Sequence, residues 1–305
     1  MLASVHNILF RADSSSTIGT GHIMRDLVLA EQFEDANIVF ATQDLPGNVN
    51  HKIKEKNYTI EILNSNDIGE LTDIIKKYSI EMIVIDHYDI NEAFEKKLKK
   101  ETSAKLFVLD DTYEQHYCDI LLNHNIYSDA TQYNRLVPES CELRCGEKYT
   151  LLRDEFIDAK QIEKISNATK QKTLFVAMGG SDVANLNPKI LRVIERFENV
   201  QVNVVTTTAN SNLEELQEFV EHKSWVNLHI DSTEIAKLMA KSDLAIVTPS
   251  VTMNEIWYMQ IPFVAIKVAD NQFYMYQFLK EKKMNVLESF NENILERYFE
   301  KFLGA

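Results

Sequence analysis

Short runs of β-branched and other apolar residues alternate with amphipathic stretches along almost the whole chain, and few architectures fit that alternation besides parallel sheets covered by helices. The first half reads as predicted strands at Asn7–Ala12, Asn37–Ala41, Tyr58–Leu63, Met82–Asp86, Lys105–Leu109 and Ile120–Asn123. Predicted helices fall near His22–Phe33, Asp67–Tyr78 and Asn91–Lys99. The stretch Asp158–Gln171 has only two large apolar residues and reads as a linker, after which a second series begins. Its strands are predicted at Thr173–Met178, Gln201–Thr206, Val226–His229, Leu244–Val247 and Phe263–Ile266. Its helices are predicted near Pro188–Phe197, Leu213–Glu221, Thr233–Lys241, Thr252–Met259 and Gln272–Lys282. The expected fold class is α/β: two Rossmann-like, doubly wound parallel-sheet domains with a cleft between them, at 1–157 and 172–287, joined by 158–171 and followed by an amphipathic tail helix in 288–305. The two halves share no sequence, so the architecture repeats without the residues repeating.

Composition agrees with two domains, since 305 residues at 45% hydrophobic are too many for one small core. No apolar run approaches the roughly 20 residues of a membrane span, and no signal pattern opens the chain, so a cytoplasmic protein is expected. Cys118, Cys141 and Cys145 form no CxxC spacing and read as reduced thiols. The net charge of −14 argues against a nucleic-acid partner and against stable association with an anionic membrane. An anionic ligand would therefore be bound by local backbone donors. Nothing in the sequence sets the oligomeric state.

Of only eight glycines, four lie in two turns, Gly19-Thr20-Gly21 and Gly179-Gly180, each after a domain's first predicted strand and before a helix. Such positions demand positive φ or close backbone approach, and a helix N-terminus attracts anions. The first turn has no Lys-Ser/Thr and no third glycine, so it is neither a P-loop nor a dinucleotide fingerprint. It does place His22 at a helix start, where the dipole disfavours imidazolium; a proton acceptor and a plain helix cap are both open readings. In the second turn Gly179, Gly180 and Ser181 can offer N–H donors to a diphosphate, or simply make a tight turn. Glu255 sits early in a helix after Leu244–Val247, where it suits ribose hydroxyls or merely complements the dipole. Asn271 and Gln272 enter the next helix, Asn271 as an N-cap or a ligand contact.

Asp86-His87-Tyr88 and Asp110-Asp111 end successive predicted strands, and Asp13 follows the first, so these acidic groups are expected near His22. They are candidates to orient His22 or to bind sugar hydroxyls and amides; a metal site is the lesser reading because no HExxH or His-x-His spacing occurs. The aromatic cluster from Trp257 to Phe278 reads as packing rather than base stacking.

Taken in order, FRADSS…IGTGHIMRDL, IDHYDI, CDILLN with Tyr127, ELRCGEKYTLLRDEF, MGGSD, NEIWYM and DNQ closely resemble the UDP-2,4-diacetamido-2,4,6-trideoxy-β-L-altropyranose hydrolases of pseudaminic acid synthesis, over about residues 7 to 285. The GxGH and MGG elements are shared with wider UDP-sugar enzymes of the two-domain glycosyltransferase fold; the DHY, CDILLN and ELRCG stretches are more specific. The resemblance implies a small-molecule UDP-sugar substrate, no cofactor and no metal. It places the catalytic base at His22, with Gly21 beside it, and UDP contacts at Gly179, Gly180, Ser181, Glu255, Asn271 and Gln272. Asp13, Asp86, His87, Tyr88 and Asp110 remain candidates to touch the sugar or orient the base. In this fold the C-terminal helix often packs back on the first domain. A glycosyltransferase, a 2-epimerase and a non-catalytic UDP-sugar-binding protein remain as alternatives.

Overall fold

The computed structural model describes residues 6–161 and 171–304, and the chain divides into two compact units between Leu151 and Leu152. The first unit runs β1 (Asn7–Ala12), α1 (Gly21–Glu31), β2 (Asn37–Gln43), α2 (Asn50–Glu55), β3 (Thr59–Leu63), α3 (Ile68–Tyr78), β4 (Met82–Asp86), α4 (Glu92–Glu101), β5 (Lys105–Leu109), β6 (Ile120–Asn123) and β7 (Glu142–Cys145). All its strands are parallel, in the order β3-β2-β1-β4-β5-β6-β7. The order reverses between β1 and β4, the switch point outside which ligands of such sheets bind. Ile8, Leu9 and Phe10 of β1 are wholly buried, because apolar side chains of a central strand are covered on both faces. Asp67 opens α3 by accepting from the Gly69 amide at 2.7 Å, and Asn91 opens α4 by accepting from Phe94 at 3.2 Å.

The second unit contains α5 (Asp154–Lys160), β8 (Lys172–Ala177), α6 (Asn187–Ile194), β9 (Val200–Thr206), α7 (Leu213–Val220), β10 (Val226–Ile230), α8 (Ile235–Ala240), β11 (Leu244–Val247), α9 (Val251–Met259), β12 (Phe263–Ile266), α10 (Phe273–Glu281), β13 (Val286–Leu287) and α11 (Glu292–Leu303). Its parallel sheet has the order β10-β9-β8-β11-β12-β13, with its switch point between β8 and β11. The start of the predicted linker is helical: Phe156 and Ala159 of α5 are buried, and α5 packs on α8 and α9. Residues 162–170 of that segment lie outside the described residues.

The tail helix is α11. It packs on α6 within its own unit, with Leu295 and Phe299 fully buried in the core and Phe299 against Phe197 at 5.6 Å. Arg196 pairs with Glu292 and Glu296 at the rim of that contact. Among the described residues no helix is long and apolar enough to cross a membrane.

Candidate active site

In the first unit the polar residues gather where β1 and β4 end. Arg11, although only 1% exposed, lies in β1 and forks onto Asp13 with bonds of 2.8 and 2.7 Å. Asp13 also accepts from the Gln43 amide at 2.7 Å, Thr42 at 3.2 Å and His87 Nε2 at 3.0 Å. Burial alone would raise the Asp13 pKa; the bonds from His87 and Arg11 outweigh it and hold the carboxylate well below the usual range. His87 is oriented as a donor to Asp13 because its Nδ1 accepts the Asp89 amide at 3.1 Å.

A turn bridged by Ser15 and Gly19 carries the chain into α1, with Gly19 at φ +86°. Gly21 is the first residue of α1, and the helix has no side-chain cap, so its first amides remain open donors. His22 does not cap it. Its Nδ1 donates to Asp86 Oδ1 at 2.6 Å, and its ring meets the Tyr88 ring edge-on at 4.8 Å between centroids. Arg25, one helical turn on, clamps the same carboxylate through Nε at 2.6 Å and Nη2 at 2.5 Å, and reaches Asp111 through Nη1 at 2.8 Å. Tyr88 donates to Asp111 at 3.0 Å, closing the ring of contacts. Burial would raise the Asp86 pKa, but the Arg25 and His22 partners force it far below the usual carboxylate range. An ionised Asp86 accepts only, so the proton it faces sits on His22 Nδ1, and in the neutral ring Nε2 is the acceptor atom.

Asp110 is placed elsewhere. It accepts from Thr112, from the Tyr113 amide and from Tyr133 at 2.6 Å, bracing the loop after β5 instead of facing His22. His116 lies between Glu95 at 2.7 Å and Asp110 at 3.8 Å; burial lowers its pKa, but hydrogen bonding to Asp110 and Glu95 raises it to about 9. A cavity of about 530 Å³ lies here, lined by His87, Tyr88, Asp110, Gln115 and His116 among others. Among the described residues no group of three or more His, Cys, Asp or Glu side chains is placed to hold a metal ion.

In the second unit Gly179 adopts φ +83°, and a Cβ on Gly180 would come within 3.0 Å of Thr207. The Gly180 carbonyl is held by Thr206 Oγ1 at 3.0 Å, Thr207 Oγ1 at 3.0 Å and the Thr207 amide at 3.1 Å. The amides of Gly179, Gly180 and Ser181 bond to nothing among the described residues. This turn does not run straight into a helix, in keeping with the helix predicted from Pro188. Asp182 first accepts the Leu186 and Asn187 amides, each at 2.9 Å, and α6 starts only at Asn187. Glu255, in α9, is buried and accepts from Arg153 Nη2 at 3.0 Å; burial raises its pKa and Arg153 opposes the rise. Asn271 is exposed inside the 3-10 turn Asp270–Gln272 and caps nothing, whereas Gln272 is buried and accepts the Val268 amide at 2.8 Å through Oε1.

Asp86, one of several acidic candidates to orient His22, is the one that pairs with it, whereas the roles of Arg25 and Arg153 are the features that sequence reasoning missed. The spacing of Arg25 from His22, three residues along one helix face, was the available signal. Arg153 was hidden beside a segment read as linker.

The two switch-point sheets define an enzyme-like scaffold of the glycosyltransferase-B type. Solved structures with this fold include MurG of Acinetobacter baumannii, with TM-score 0.63 and 12% identity over 98% of this chain and 91% of that one. The spinosyn rhamnosyltransferase SpnG matches with TM-score 0.65 and 9% identity over 98% and 92%. No family model matches the sequence. A curated relative from Campylobacter jejuni, the UDP-2,4-diacetamido-2,4,6-trideoxy-β-L-altropyranose hydrolase, is 41% identical over 265 residues, 87% of this chain and 93% of the relative. The chain belongs to the family of these hydrolases.

Proposed function

We propose that the protein hydrolyses UDP-2,4-diacetamido-2,4,6-trideoxy-β-L-altropyranose at the anomeric C1–O bond, with inversion, as a step of pseudaminic acid synthesis. The observation that carries this reading is the His22–Asp86–Arg25 arrangement: a buried carboxylate holds the imidazole in one tautomer, with Nε2 as the basic atom. Water attacks C1 and gives its proton to Nε2, while the C1–O electron pair leaves with the β-phosphate of UDP. UDP is already a good leaving group. Charge growing on it would be met by the open amides of Gly180 and Ser181 and by Asn271. Glu255 would take the ribose hydroxyls, with Gln272 and Gly179 shaping the same ligand. Gly21 contributes an open helix amide near the base. Tyr88, which meets the His22 ring, would face the sugar and its acetamido groups, with His87 and Asp110 lining the same cavity as Tyr88.

A retaining route needs a free carboxylate nucleophile at C1. Asp13, Asp86 and Asp111 are each bound to an arginine, and Asp110 to its own loop, which supports single displacement. Purified protein is incubated with the UDP-sugar, with and without an acceptor, and proton NMR records the first turnovers. UDP release without acceptor and an inverted sugar are expected. Acceptor-dependent release would make it a transferase, and a retained anomer would replace His22 by one of the aspartates.

A further inference from the structure

Asp26 follows Arg25 on α1 and is completely buried, yet neither of its carboxylate oxygens meets an N–H or O–H donor. An ionised carboxylate cannot be left this way, since a buried charge without a donor costs several kcal/mol. The neighbour within hydrogen-bonding reach is another carboxylate, Asp86. Two abutting carboxyls resolve the conflict by sharing a proton, and which one ionises is decided by the surrounding charges. Asp86 faces Arg25 on both of its oxygens and His22 on Oδ1. Oδ2 takes only the Arg25 Nε donor and has room for one more.

We propose that Asp26 is a neutral carboxylic acid in the native protein, donates its proton to Asp86, and so acts as a positioning residue for His22. Burial and the Asp86 charge both push Asp26 upward, in the direction this assignment needs. The charged groups that act on Asp26 are Asp86 and Arg25, and around those two stand His22 on α1, Asp111 beyond β5 and His124 after β6. His124 is pushed down to about 3 by burial and by Arg25, so it adds no charge. Arg25 already meets two carboxylates, Asp86 and the partly exposed Asp111, so an ionised Asp26 would be a third carboxylate beside a single guanidinium. The added donor also pins the Asp86 carboxyl plane against which His22 is aligned.

This inference rests on the proposed role of His22, and its test is arranged so that the two can fail separately. Infrared spectra of the resting protein without substrate, wild type against Asp26→Asn, should show a neutral-acid carbonyl band at pH 7 that the variant lacks. ¹⁵N-histidine NMR should find His22 as the Nδ1–H tautomer in both proteins, because the carboxamide introduced by Asp26→Asn still donates an N–H, and should find that bias lost in Asp26→Leu. In UDP-sugar turnover Asp26→Asn should keep kcat and the acid limb of its pH profile, while Asp26→Leu should lower kcat about 10-fold with little change in KM, part of the worth of a general base. Absence of the band at pH 7, its survival in Asp26→Asn, or an acid limb moved by a pH unit or more in that variant overturns the assignment. Should Asp26→Leu not fold, the spectra of the isosteric Asp26→Asn decide. A protein with the band but no turnover keeps a neutral Asp26 and loses only the hydrolase reading.

Discussion

His22 Nε2 has no hydrogen-bond partner among the described residues, since its pairing runs through Nδ1, and its worth is measurable. His22→Asn should leave UDP affinity nearly unchanged and lower turnover by about 10²–10⁴-fold; isothermal calorimetry with UDP and a UDP-release assay separate the two. Glu255→Ala should do the reverse, weakening UDP by roughly 1–3 kcal/mol as ribose hydroxyls lose their acceptor. Calorimetry that finds unaltered UDP binding would reduce Glu255 to a partner of Arg153. His116 gives a pH signature independent of catalysis. Its pKa is raised on folding from 6.5 to about 9, so the stability it contributes is complete below about pH 6.5 and is lost as pH climbs through 9. The loss is on the order of 3 kcal/mol. Urea midpoints measured between pH 6.5 and 9.5 should fall in wild type and stay flat over that interval in His116→Gln. Residue types and turn positions made His22 and the two glycine turns legible in the sequence. Asp86 was legible only as one of several acidic candidates to orient His22; singling it out depends on β1 and β4 becoming neighbours across 64 residues.

At the level of elements, strands such as Met82–Asp86 and Leu244–Val247 were readable to the residue because they are continuous apolar runs between turns. Glu142–Cys145 was not, since an edge strand needs no apolar run; its sequence ELRC has none. Asn50–Glu55 escaped for a similar reason, as a single buried apolar residue, Ile53, shows no period. The helix Asp154–Lys160 was not legible, and its last three residues read as linker, because it buries only Phe156 and Ala159. The tail helix was legible as amphipathic, but periodicity cannot say which surface covers its apolar face. That surface is α6. Phe299→Ala should therefore cost the second unit about 3–5 kcal/mol, the range for deleting a buried aromatic ring, visible as a lower urea midpoint.

Over the whole molecule, each unit closes its own sheet and its own core. Calorimetry should then resolve two unfolding transitions. Phe299→Ala should lower one of them, and UDP at about 100 times its Kd should raise that same one by about 2.7 kcal/mol. A UDP-dependent shift of the His116-sensitive transition alone would move the nucleotide site to the first unit.

The seat of α11 also sets a schedule for the ribosome. The first unit ends at Leu151, whereas the second core is not sealed until Leu295 and Phe299 have been made. At roughly 5–20 residues per second the two moments are on the order of ten seconds apart. During that interval the finished half can already assemble its buried Arg25 and Asp86 cluster. The apolar face of β8, β9 and β11 waits without its last cover, and the need for a chaperone during synthesis falls on the second half of the chain.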